Sequence, residues 1–218
     1  MSPDGVTKPL DIVRLCQLGR FDLEEVTLHG AEGKLQALLF PAPMNRFSVL
    51  VDPEPPGGWE RVDPGVRSAL RDHRLRFRIC HEAAHSFFFD RSKHVPTPTV
   101  GPSPKQERFC DEFASRILIP RQVIAAMPPE ASSIVEVHER FRVSLEVAAR
   151  AFAAVHRDAL TALYVTRLDD PPMLQWINRP RESERLESLL SDPGCSVSEP
   201  GTVVRLARRD QTVAVVAA

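Results

Sequence analysis

His81 and His85 are separated by Glu82, Ala83 and Ala84, giving the run HEAAH. On a helix advancing about 100° per residue the two imidazoles lie about 40° apart, so both reach one metal ion, while Glu82 stands roughly a quarter-turn round. A general base belongs at that position. Zn2+ lowers the pKa of its water towards ~7, and a neighbouring carboxylate takes the proton as the water attacks a carbonyl. Phe77, Ala84 and Phe88 share the histidine face, and Phe87 and Phe89 extend the apolar surface. Imidazoles on a face destined for burial need partners, and a metal supplies one.

Two histidines and a water leave tetrahedral zinc one ligand short. Ser103 and Pro104 read as the N-cap and first residue of a helix that Pro120 stops, so ERFCDEFASRILI forms about four turns. Cys110, Phe113, Ala114, Ile117 and Leu118 make its inward face. Glu107 falls at the border of that stripe, close to the azimuths of Ala114 and Leu118, and is the best third ligand; Glu112 points the other way, into solvent. Asp111 is an alternative ligand, better placed to orient a ligating histidine or Glu107, and Asp90 has the same orienting possibility.

These residues carry a resemblance. HEAAHSFFFDRS followed by ERFCDEFASRILIP, residues 107–120, resembles the ImmA/IrrE family of metallopeptidases, whose pattern is HExxH and then ExxAN-like residues before FAxxLLxP. RFRIC before the histidines and FRVSLEVAARAF at 141–152 extend the likeness, which spans roughly residues 10 to 180. The resemblance implies a zinc-dependent, in some members manganese-responsive, endopeptidase of the gluzincin type that cuts a helix-turn-helix repressor and so releases its genes. Carried over, His81, His85 and Glu107 become the metal ligands and Glu82 the general base. Two positions depart from the pattern: Ala84 stands where glycine is common, and Asp111 where asparagine is usual.

At 218 residues and 43% hydrophobic the chain has enough apolar side chains for a core, and a formal charge of −1 does not advertise nucleic acid. Arg67, Arg71, His73, Arg74, Arg76 and Arg78 concentrate positive charge before the metal helix; a solvated helix face is favoured over a docking surface. Cys16, Cys80, Cys110 and Cys195 form no CxxC pair, as expected in a reducing cytosol. Cys80 and Cys110 lie on the two metal-site helices and are candidate ligands, since thiolates bind zinc; Cys80, about 100° from His81, reads as a packed thiol. With Asp4, Lys8, Asp11 and Arg14 near the start and no apolar run approaching ~20 residues, a cytoplasmic chain without signal peptide or membrane span is expected.

The positioning elements follow from pattern. LDIVRLCQL reads as a short helix with Leu10, Val13, Leu15 and Leu18 as its apolar set. VTLHG, LQALLF and FSVLV read as strands of a small antiparallel sheet against the metal helix, where an extended substrate strand could add. DPEPPGGW is a loop, and a helical region opens at Asp63 and Pro64 and runs, with a break near His73, through Phe89. Four prolines make 91–106 a loop that contains His94. Helices are expected over 121–127, 132–141 (opened by a Ser133/Glu136 capping box) and 145–156. TALYVTRL and MLQWINR make a hairpin, and TVVRL and TVAVV a weaker one. The fold class is therefore α+β: a mainly helical, zincin-like domain with a small antiparallel sheet over 1–180, and a small β-containing C-terminal appendage over 181–218 that could belong to the same domain.

Three functions from different classes are compatible with these residues. The first is a metalloendopeptidase with Zn2+, or Mn2+, as cofactor and a protein as substrate. The second is a catalytically silent metal-binding protein that sequesters a regulator or toxin. The third, a DNA-binding regulator using FRVSLEVAARAF, ranks last because only Arg142 and Arg150 meet phosphates there. The residues name no oxyanion donor among Tyr164, His138, His156 and the arginines.

Overall fold

The computed structural model describes residues 9–26, 37–52, 64–157, 160–165, 173–177, 203–206 and 211–216. The chain divides into two compact units, one of Thr7–Leu118 with Phe141–Val143 and the other of Met1–Val6, Ile119–Arg140 and Ser144–Ala218. Among the described residues no helix is long and apolar enough to cross a membrane.

The first unit opens with helix α1 (Ile12–Gly19), capped by the Asp11 carboxylate, which accepts from the Arg14 N–H at 3.0 Å. Its inward stripe is Ile12, Leu15 and Cys16, at the i, i+3, i+4 spacing of one helix face. Val13 and Leu18, expected in that stripe, are 62% and 75% exposed. The stripe is set by what the helix packs on, and the buried thiol of Cys16 takes the central place. The helix ends on Arg20 in the left-handed region, with φ 60°. A Cβ on Gly19 would lie 2.2 Å from the Phe21 ring, so a larger residue there would require that ring to shift.

Strands β1 (Phe21–Glu25), β2 (Ala37–Ala42) and β3 (Arg46–Val51) form a sheet in the order β1-β3-β2. β2 and β3 are antiparallel, whereas β1 runs parallel to β3, so this sheet is mixed. Of the expected strand VTLHG only Val26 is described; it follows β1 and donates its N–H to Val51 O at 3.0 Å. The rest of that segment, and DPEPPGGW beyond Asp52, lie outside the described residues. Phe47, Val49 and Val51 alternate inward along β3. Val49 and Val51, with Cys16, Ala37 and Ile79, make a core on which Ile12, Phe21, Leu39 and Leu75 pack.

Helix α2 (Pro64–His85) is unbroken through His73. Within the basic run His73 and Arg76 are buried, at 6% and 7% exposed, whereas Arg74 is exposed; the side chains of Arg67 and Arg71 lie outside the described residues. Burial pulls the Arg76 guanidinium below its ordinary range, with Asp72 opposing and Arg142 reinforcing the effect. Arg142 itself pairs with Asp72 at 2.7 Å. After His85 the chain makes a 3-10 turn over Ser86–Phe88 and enters a two-residue ladder, β4 (Phe89–Asp90) against β5 (Thr97–Pro98). The proline-rich segment is otherwise irregular, as its prolines require. Phe47 is fully buried and touches Phe21 and Phe89 at ring distances of 5.9 and 5.3 Å, so it ties the sheet to the chain leaving α2.

Helix α3 (Pro104–Leu118) starts on a reciprocal cap: the Gln106 N–H donates to Ser103 Oγ and the Ser103 N–H to Gln106 Oε1. It packs along α2.

The second unit contains α4 (Arg121–Ala125), α5 (Ala131–Phe141, whose last residue counts with the first unit) and α6 (Leu145–Val155). α5 starts at Ala131, before the expected Ser133/Glu136 box. The Glu130 N–H folds back to Pro128 O and the Ser133 N–H bonds to Glu130 O, so Ser133 lies inside the first turn. Ser144 caps α6 by accepting from the Val147 N–H. β6 (Leu160–Val165) pairs with β7 (Met173–Ile177), and β8 (Val203–Leu206) with β9 (Gln211–Val216). The two hairpins join through β6 and β9 into one sheet of order β7-β6-β9-β8. The architecture is α+β, mainly helical, as its alternation of patterns indicated.

Candidate metal centre

α2 and α3 bring His81, His85 and Glu107 together. The Nε2 atoms of the histidines are 3.2 Å apart, Glu107 Oε2 is 3.3 Å from His81 Nε2, and Glu107 Oε1 is 3.6 Å from His85 Nε2. Nitrogen and oxygen donors at ordinary zinc distances stand about 3.3–3.5 Å apart round a tetrahedron. The three contacts therefore have the spacing of a metal's ligand set, and the residues fit a divalent ion of that size.

The environment prepares these groups. His81 is buried, and its other nitrogen, Nδ1, lies 2.9 Å from Asp111 Oδ1. A carboxylate there holds the proton on Nδ1 and leaves the Nε2 lone pair facing His85 and Glu107. Burial holds the His85 imidazole below its ordinary pKa, Glu107 opposing and His81 reinforcing, which widens the pH range over which it is neutral and able to bind a cation. Glu107 and Asp111 are half-exposed or more, so the pocket opens to solvent on the carboxylate side of α3.

Glu82 is 9% exposed. Burial raises its proton affinity above that of an ordinary carboxyl, opposed by His81 and Arg78, reinforced by Glu107 and opposed again by the Leu39 N–H, which donates to it. That amide belongs to β2, an outer strand of its sheet. The sheet thus reaches the proposed base through one backbone donor, a contact that a pattern of apolar residues does not encode. Arg78, one turn before Glu82, is the second neighbour that the motif alone left unnamed.

Cys110 is also at the site. His81, His85 and Cys110 each offer a donor atom, all within 4.8 Å of one another, and Cys110 is fully buried. Burial pushes its thiol up to about 12, with Glu107, Glu82 and Asp111 adding to the effect. The i, i+3 spacing from Glu107 was the available signal, since those two residues share a helix face. Cys80 is a buried thiol near Arg76 and Cys16, pushed up to about 12.

Several other candidates make their contacts elsewhere. Asp90 accepts from the N–H and Oγ of Ser92 at 3.0 and 2.7 Å, closing a turn. His94 is exposed, and its carbonyl accepts from the Asn45 N–H. Glu112 is exposed and pairs with Arg116. His156 meets Ile124 O at 3.1 Å and packs on Phe152. The side chain of Tyr164 lies outside the described residues.

Residues 65–152 match the model of a peptidase family described as the IrrE N-terminal-like domain. The match covers α2, α3 and both histidines, is consistent with the ImmA/IrrE resemblance, and supports a metallopeptidase of that type. No match was found among curated proteins.

Proposed function

We propose that this chain is a zinc-dependent endopeptidase, held in the cytoplasm, that cuts a helix-turn-helix repressor. His81, His85 and Glu107 hold the metal and Glu82 is the general base. The observation that carries this reading is the set of three donor contacts between 3.2 and 3.6 Å, flanked by a buried carboxylate. A bound divalent ion supplies Lewis acidity for the scissile carbonyl and the attacking water. Manganese tolerates imidazole and carboxylate donors as well, so the His2Glu set alone admits both metals.

The chain's own residues do the rest. Glu82, with its proton affinity raised by burial, accepts a proton from water and then returns it to the departing amine. The Leu39 amide fixes the carboxylate's orientation, and Asp111 fixes the ring of His81. Since β2 lies at a sheet edge beside Glu82, an extended peptide is admitted along that strand.

The test compares newly created protein N-termini in cell extract treated with wild type or Glu82→Gln, each supplied with zinc or manganese. A cut made only by wild type supports the endopeptidase and names its substrate. Absence of any cut, while both proteins retain a bound partner, overturns it in favour of sequestration.

A further inference from the structure

The histidine pair faces two different third donors. Glu107 reaches it from the half-exposed side of α3, with oxygens 3.3 and 3.6 Å from the two Nε2 atoms. Cys110, three residues on, reaches it from the buried side, its sulfur within 4.8 Å of donor atoms on both histidines. The thiol is 0% exposed and His81 is 6% exposed.

We infer that Cys110 is a thiol donor to the metal held by His81, His85 and Glu107, and that it makes this site select thiophilic cations such as zinc, cobalt and cadmium over manganese. This inference rests on the proposed metal site. Tetrahedral thiolate and imidazole donors stand about 3.5 Å apart, given Zn–S near ~2.3 Å and Zn–N near ~2.0 Å. A separation within 4.8 Å thus closes by a shift on the order of 1 Å. As the sulfur–metal bond forms, the thiol proton leaves to solvent.

The chemical consequence follows from ligand softness. Imidazole and carboxylate accept zinc or manganese, whereas a thiolate strongly favours the softer ion. Adding one sulfur to a His2Glu set therefore turns a permissive site into a discriminating one. In a four-coordinate site the sulfur would take the position that a water otherwise fills.

The experiment uses the full chain stripped of metal and titrated with Co2+, comparing wild type with Cys110→Ala and the nearly isosteric Cys110→Ser. Wild type is expected to show a near-ultraviolet sulfur-to-cobalt charge-transfer band that both variants lack. In chelator competition the variants should lose about tenfold or more in zinc affinity while their manganese affinity stays within about twofold. Cobalt binding with identical spectra in all three proteins overturns the thiol's role and leaves the metal site standing. Failure of wild type to bind cobalt at all overturns the metal site itself.

Discussion

Asp111 Oδ1 lies 2.9 Å from His81 Nδ1, while Glu107 Oε2 lies 3.3 Å from the Nε2 of the same ring. Two carboxylates one helical turn apart on α3 therefore address both nitrogens of one imidazole on α2. In the proposed site the first would set the tautomer and the second would join the donor set.

Removing the tautomer-setting group is expected to loosen the metal without removing a ligand. Asp111→Ala should weaken zinc binding about 10–100-fold, and Asp111→Asn, which can still accept from Nδ1, should lose less. Chelator competition on the purified variants measures both, and an unchanged affinity in the alanine variant would show that the contact is incidental.

Glu82 is expected to cost the metal-free protein stability once ionised. Its folded pKa is raised by burial, so the folded state binds the proton more tightly than the unfolded chain. Relative stability is then full below the unfolded carboxyl value, near ~4.3, and is lost as pH rises through the folded value. Metal-free Glu82→Gln should be more stable than wild type at neutral pH, with the difference shrinking on acidification. Urea midpoints across pH 4 to 8 check the sign.

Phe47 joins β3 to the chain leaving α2, and Arg91 sits over its ring at 5.2 Å. Phe47→Ala should cost about 3–5 kcal/mol through lost burial and the cavity left behind. Phe47→Leu should cost less. Denaturant titration of the full chain reads both, and a loss under about 1 kcal/mol for alanine would mean that the site collapses freely.

Ser103 and Gln106 cap α3 reciprocally just before Glu107. Ser103→Ala should cost about 1 kcal/mol, whereas Ser103→Asp should retain most of it because aspartate caps well beside a helix N-terminus. Thermal unfolding distinguishes the pair; equal losses in both would assign the start of the helix to Pro104 alone.

The amino-acid sequence by itself carried whatever depends on position along one element. The i, i+4 spacing of His81 and His85, the place of Glu107 at the edge of an apolar stripe, the Ser103–Pro104 start and the irregularity of the proline-rich segment are all properties of a local backbone with a fixed period. Tertiary structure decided what depends on two elements meeting. Which of three acidic or thiol groups on α3 faces which nitrogen, that Cys110 reaches the histidines from behind, and that a β2 amide reaches Glu82 all follow from how closely α2 packs on α3 and the sheet. The same distinction explains α1, where periodicity alone admitted a stripe through Val13 and Leu18 and the packed surface selected Ile12, Leu15 and Cys16 instead. It also explains the tail, where each hairpin was visible in its own alternation, but the β6–β9 pairing that merges them is a long-range contact that leaves no local pattern.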